Sequence, residues 1–165
     1  MSEEMQQGQQ WLETLLQLMG IPSPVTISTD QETSDANAYW LVIDGASLTP
    51  EQANVLIGEG GANLDAMQYL ANAQLNMALE KDEQRAVTIE LNGYRQQRYA
   101  ELQALVQETA DKVRETGQEV AMESLSSAER RQIHSLLQDS EDLVSESQGQ
   151  EPNRHLIVRL RGESA

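Results

Sequence analysis

The chain has 165 residues, no Cys and a formal net charge of −16, and all 11 of its Lys and Arg residues lie after residue 80. Disulfides, thiolate metal sites and a cysteine nucleophile are therefore excluded, and because the first half is purely acidic, any contact with nucleic acid must be local. No apolar run reaches the roughly 18–20 residues that a membrane span needs, and the amino terminus lacks the pattern of a secretory signal, so we expect a soluble, cytoplasmic protein without membrane contact.

The first 93 residues carry the signals of three helices and three strands. Apolar residues spaced three and four apart indicate the helices, and short runs of β-branched or aromatic residues indicate the strands. Thr49 and Gln52 form a capping box, with Pro50 at the first helical position. The predicted elements are a helix ending at Gly20, strands at 25–29 and 39–44 joined by a polar loop at 30–36, a helix from Pro50, a helix at 62–79 and a strand at 86–93.

The remaining residues predict a long helix and a second small unit. Ser126 and Glu129 form another capping box, which marks the start of the last helix. The acidic stretch at 140–150 holds at most an edge strand. The predicted elements are a long helix at 94–116 ended by Gly117, a strand within 119–124, a helix from Ser126 and a final strand at 154–161.

These patterns predict an α+β fold class built from two small α/β units. The predicted boundaries are 1–93 for the first domain, 94–117 for a connecting long helix and 118–165 for the second domain. On the two longest predicted helices, the inward faces are expected to include Leu70 and Leu105 respectively.

A G-x-x-G loop, Gly58-Glu59-Gly60-Gly61, lies between two predicted helices. Glycines let the backbone approach a partner closely, and the N–H groups that open the next helix attract anions. In an α-β-β-α-α-β order, this is the loop with which a type II KH domain clamps a single-stranded backbone; on its own, it is equally the pattern of a simple helix–helix turn. The helix end offers only about half a positive charge, so we expect the carboxylate of Glu59 to weaken the grip on phosphate.

Arg130 and His134 are one helical turn apart, and both side chains are expected on one exposed face. A guanidinium binds phosphate through two parallel hydrogen bonds, and an imidazole donates to phosphate or stacks on a base. The alternative is a surface ion pair of Arg130 with Glu129 or Asp139, beside a half-buried His134. No nucleophile–base pair or metal-ligand spacing is evident, so we expect no catalytic activity, no cofactor and no metal.

Four motifs, in order, resemble the bacterial Jag family, which is also called EloR or KhpB. They are "LIGEGGANLDAMQYLAN", "GYRQQRYAEL", "ERRQIH" and "EPNRHLIVRL", and the resemblance is dense from Leu56 to Leu160. The family joins a KH domain to a single-stranded nucleic-acid-binding domain. That second domain is named for an Arg and a His separated by three residues, and we write it R-three-H.

The resemblance implies nucleic-acid-binding residues in both units. Family loops usually carry basic residues between the outer glycines, and this chain carries Glu and Gly there. The implied residues are Gly58 and Gly61 as the outer glycines of the KH loop, Glu59 and Gly60 as its variable pair, Arg130 and His134 as the naming pair, Arg131 beside them and Arg154 at the start of the last strand.

Two functions remain open from the sequence. The resemblance implies a non-enzymatic regulator that binds single-stranded RNA mainly through the R-three-H domain, in a family linked to cell elongation and envelope control and often to a small partner KH protein. The alternative is a protein-interaction adaptor in the same process, with a degenerate KH loop and weak or no RNA binding. The acidic first half and Glu59 motivate the alternative.

Overall fold

The computed structural model describes residues 2–29 and 38–162, so the predicted loop at 30–36 lies outside the described residues. The chain divides into two compact units, Met1–Arg95 and Gln96–Ala165. The described helices are α1 (Glu3–Leu18), α2 (Pro50–Ile57), α3 (Ala62–Asn76), α4 (Tyr94–Thr116) and α5 (Ser127–Leu137). The described strands are β1 (Val25–Ser28), β2 (Tyr39–Ile43), β3 (Val87–Leu91), β4 (Val120–Met122), β5 (Leu143–Gln148) and β6 (His155–Leu160). The predicted α+β class is confirmed.

The first unit is a three-stranded sheet in the order β1-β2-β3, with α1 and α3 packed against it. Strand β2 pairs antiparallel with β1 and parallel with β3, and Leu41 lies opposite Ile89 in the parallel pair. Alternation along β2 sends Leu41 and Ile43 into the core, where Leu12 and Leu64 of the helices are also fully buried. This α-β-β-α-α-β order is the one that the sequence predicts for a KH-like unit.

The second unit is an antiparallel sheet in the order β4-β6-β5 with α5 packed against β5. Strand β5 is an edge strand, as the sequence predicts. Although the sequence assigns the long helix α4 to a connector, Leu102 and Val113 of this helix are buried together with Ile133, Leu143 and Val158. Helix α4 thus supplies part of the second core.

Both predicted capping boxes are present. The hydroxyl of Thr49 accepts from the backbone N–H of Gln52 at 3.2 Å, and the Gln52 side chain accepts from the backbone N–H of Thr49 at 3.0 Å. Ser126 and Glu129 exchange the equivalent bonds at 3.1 Å each. Each box satisfies two backbone donors at a helix start, so α2 and α5 begin where the sequence predicts.

Two predicted core positions are wrong. Leu70 is 51% exposed and Leu105 is 38% exposed. In α3 the buried face follows Leu64, Met67 and Ala71, and one residue along a helix turns the side chain by about 100°, which places Leu70 off that face. In α4 the buried neighbour of Leu105 is Val106. The same rotation of about 100° per residue places Leu105 outside the buried stripe of that helix. No helix in the described ranges is long and apolar enough to cross a membrane.

Candidate nucleic-acid interface

A groove of about 560 Å³ in the second unit brings together four of the sequence-predicted residues. One wall is α5, and the other is formed by β5 and the loop that leads into β6. The capping box fixes the start of α5, while Ile133 and Leu137 bury its opposite face in the core. The groove residues from the prediction are Arg130, Arg131, His134 and Arg154.

Arg130 is buried, so the expectation that its side chain is exposed is wrong. It is only 5% exposed, because one edge of its guanidinium is occupied by the backbone. Nη1 donates to the carbonyl oxygen of Leu125 at 2.8 Å and to that of Arg154 at 3.3 Å. Nη2 donates to the carboxylate of Glu151. Arg130 therefore ties the segment before α5 to the loop before β6, which forms part of one wall of the groove.

The carboxylate partner of Arg130 also differs from the two that the sequence suggested, Glu129 and Asp139. Its carboxylate partner is Glu151, whereas Glu129, the neighbour in sequence, accepts from Nε of Arg98 on α4 at 2.6 Å. The Glu129 side chain is only 6% exposed. Glu129 thus caps α5 and pairs with α4 at the same time, and it is a structural residue of the second unit.

His134 is exposed and its ring is held by a serine. Nδ1 lies 2.6 Å from the hydroxyl oxygen of Ser145 on β5, and Ser145 is only 8% exposed. Because a hydrogen bond to one ring nitrogen orients the imidazole, Nε2 is left as the nitrogen that a ligand can use. The half-buried state considered as an alternative for His134 is therefore wrong.

Arg131 and Arg154 are exposed at the groove. Within the part of the chain that the structure describes, neither guanidinium forms an ion pair. The groove lining also contains two carboxylates, Glu146 and Glu151. With three guanidiniums against two carboxylates, the groove carries a net positive charge in a chain whose overall charge is −16.

The other four predicted residues, the loop Gly58-Glu59-Gly60-Gly61, lie in the first unit. All three glycines have positive φ. A Cβ atom on Gly61 would lie 2.8 Å from Cε1 of Tyr94, so only glycine fits this close approach. Glu59 is exposed. The positive φ angles and the contact with Tyr94 therefore explain the glycines of this loop by the conformation and packing of the loop itself.

A cation near this loop is already neutralised. Arg95 donates from Nη1 to the carboxylate of Asp65, in the first turn of α3, at 2.8 Å, and from Nε to the carbonyl oxygen of Ile89 at 2.8 Å. Glu59 lies in the glycine loop before α3, and Asp65 lies in the first turn of α3, so both carboxylates are close in sequence to the start of this helix. The weak attraction of the loop for phosphate stays a prediction.

Comparison with known families gives a match within the second unit. Residues 100–160 match the R-three-H domain family. A protein of Clostridium symbiosum named RNA-binding protein KhpB is 28% identical over 155 residues, which cover 94% of this chain and 65% of that protein. The protein of the same name from Bacillus subtilis is 29% identical over 158 residues, covering 94% and 70% respectively.

The chain is similar to the Jag (KhpB) family over most of its length. A third similar protein, RNA-binding protein KhpB of Lactiplantibacillus plantarum, is 26% identical over 144 residues, covering 87% of this chain. The chain spans 43% of the length of that relative and 65% of the Clostridium symbiosum protein.

Five residues of the groove lining were missed from the sequence, and two of them, Ser145 and Glu151, contact predicted residues. A signal existed for Ser145, because the alternation of β5 places it on the same buried face as Leu143, and a buried hydroxyl needs a partner. Glu151 gave a weaker signal, since a Glu in a polar loop is ordinarily solvated. In the described ranges, no group of three or more His, Asp or Glu residues is placed to hold a metal ion.

Proposed function

We propose that this chain is a member of the Jag family and a non-enzymatic regulator that binds single-stranded RNA through the groove of its R-three-H unit. The observation that carries the proposal is the convergence of two exposed guanidiniums that no described carboxylate pairs, those of Arg131 and Arg154, with the oriented imidazole of His134. The names of the relatives, all RNA-binding protein KhpB, support it.

The chemistry of the groove suits a flexible, single-stranded backbone. Guanidiniums form charge-assisted hydrogen bonds to phosphate oxygens, and an exposed imidazole stacks on an unpaired base or donates to phosphate. Because the chain is strongly acidic overall, the favourable field is confined to distances within about one Debye length of the groove, roughly 8 Å at physiological ionic strength. Binding is therefore expected to be local and dependent on salt.

For the first unit, we propose a supporting role. Its glycine loop acts as a tight turn with weak phosphate affinity. The unit binds other proteins, including a small partner KH protein. The resemblance to the Jag family supports action in the cytoplasm, in the control of cell elongation and envelope growth.

The test is a set of binding isotherms for fluorescent single-stranded RNA, measured at several salt concentrations with the full chain. Arg131→Ala and Arg154→Ala each remove one phosphate contact, so each should weaken binding and reduce the slope of log K against log salt by about 0.7. Lys112→Ala is the matched control, because Lys112 is an exposed cation of the same unit, outside the groove.

The proposal fails if both arginine variants bind RNA with the affinity and salt slope of the Lys112→Ala control. The non-enzymatic part has its own readout. The RNA should be recovered at its original length after prolonged incubation, and shortening that depends on His134 would instead indicate a nuclease.

A further inference from the structure

The contact between Arg130 and Glu151 joins two residues of opposite exposure. The Arg130 side chain is 6% exposed and the Glu151 side chain is 61% exposed. The two backbone carbonyls hold the Nη1 edge of the guanidinium in place. The Nη2 edge meets Glu151 at the groove, where both residues contribute to the lining.

The two partners therefore differ in how easily they can move. Arg130 is fixed by acceptors from two separate segments and by burial. In the described ranges, the carboxylate of Glu151 has Arg130 as its ion-pair partner and otherwise faces solvent. Because an exposed carboxylate is readily rehydrated, its release from Arg130 costs little, whereas moving Arg130 would leave two carbonyls without donors.

A carboxylate and a phosphodiester present similar oxygens to a guanidinium. Both accept charge-assisted hydrogen bonds from its N–H groups, and Arg is the side chain best suited to either. A phosphate oxygen can therefore take the place of a carboxylate oxygen at Nη2 without rearrangement of the buried side chain.

We infer that the outer edge of Arg130 is a phosphodiester-binding position, and that Glu151 occupies it in the RNA-free chain as an intramolecular competitor. This inference rests on the proposed function. Binding of RNA then exchanges one anion for another at Arg130, and Glu151 sets the affinity of the groove. The same contact explains how a buried arginine can take part in RNA binding.

The experiment compares Glu151→Gln with Glu146→Gln in the full chain. Both substitutions remove one negative charge from the groove lining, but only the first removes it from Arg130, because Glu146 pairs with Arg159 at 3.6 Å. The amide of Gln keeps the size of the side chain and still accepts a hydrogen bond. We expect Glu151→Gln to bind fluorescent single-stranded RNA about two- to fivefold more tightly than the unmodified chain, the range that an exposed ion pair supports, and Glu146→Gln to gain clearly less.

A second measurement follows the side chain directly. The carboxyl carbon of Glu151 should change its NMR chemical shift when RNA is added, because it loses its guanidinium partner, and the carboxyl carbon of Glu146 should change less. This readout remains decisive if the Gln variant alters the loop.

The outcomes separate this inference from the proposed function. If Arg131→Ala weakens RNA binding, while Glu151→Gln binds no more tightly than Glu146→Gln and the Glu151 carboxyl does not respond to RNA, the competitor role is rejected and the groove remains the binding site. If Arg131→Ala and Arg154→Ala have no effect, the proposed function itself fails, and the competitor role fails with it.

Discussion

The burial of Arg130 predicts that its removal destabilises the second unit in addition to affecting RNA binding. In Arg130→Ala, the carbonyl oxygens of Leu125 and Arg154 lose a charged donor. A hydrogen bond to a charged group contributes about 1.5–3 kcal/mol. The bond to Leu125 is short and buried, whereas that to Arg154 is 3.3 Å long and partly exposed, so we assign the upper part of that range to the first and less to the second.

The expected loss in the free energy of unfolding of the second unit is about 3 kcal/mol. Glu151 adds little to it, because a carboxylate that is 61% exposed is solvated when its partner is removed. For a unit of this size, each kcal/mol lowers the melting temperature by roughly 4–8 °C, so the melting temperature should fall by about 12–24 °C.

The positions of the tryptophans allow the two units to be followed separately. Both, Trp11 and Trp40, lie in the first unit, Met1–Arg95. Circular dichroism reports on helices of both units. In Arg130→Ala, the circular dichroism transition should show an early phase, while the tryptophan fluorescence transition keeps its midpoint.

Arg131→Ala is the matched control for this measurement. It removes the same side chain one position later on the same helix, but from an exposed site, and it should change stability by no more than about 0.5 kcal/mol. If Arg130→Ala unfolds at the same temperature as Arg131→Ala, the backbone contacts of Arg130 do not stabilise the unit, and a structural role for Arg130 is refuted.

Two further predictions concern a turn and an ion pair. Gly61→Ala should destabilise the first unit by more than Gly93→Ala. Both sites have positive φ, which costs Ala roughly 1–2 kcal/mol, but only at Gly61 does the new Cβ atom meet a side chain, that of Tyr94 at 2.8 Å. Equal shifts of the tryptophan fluorescence midpoint in the two variants would contradict this. The hydrogen bond from Arg114 holds the pKa of Asp142 below its ordinary 3.8, so this carboxylate contributes stability above that value and loses it as the pH falls through the lower, folded pKa. Asp142→Asn should flatten the dependence of the unfolding midpoint on pH in the acidic range below 3.8, the ordinary pKa of Asp142, and an unchanged pH profile would show that the pair has no effect on stability.

Local sequence signals predicted the elements well, and their physical cause is local too. Each capping box satisfies backbone donors with side chains three residues away, so Thr49 and Ser126 mark helix starts without knowledge of the fold. The same holds for the shared face of Arg130 and His134, which follows from the helical period alone.

The burial of Arg130 could not be predicted in this way. Its acceptors come from Leu125, five residues earlier, and from Arg154, 24 residues later, and the second depends on how β6 enters the sheet. The orientation of His134 likewise depends on Ser145, eleven residues away on β5. Burial and partners of a polar side chain are set by tertiary packing, which the spacing of charges along one helix does not contain.

The two candidate anion sites differ in whether local charge supports them. At the glycine loop, a helix end is opposed by Glu59, and the guanidinium of Arg95 is bound to Asp65. In the groove, Arg131 and Arg154 carry charge that no described carboxylate neutralises.

A net charge of −16 repels a polyanion at long range, whereas the groove attracts it only at short range, because salt screens exposed charges beyond roughly 8 Å. Non-specific binding, which depends mainly on phosphate contacts, is therefore disfavoured over most of the surface. An RNA that binds must place its phosphates and an unpaired base in the groove, and the acidic composition of the chain thereby restricts binding to that site.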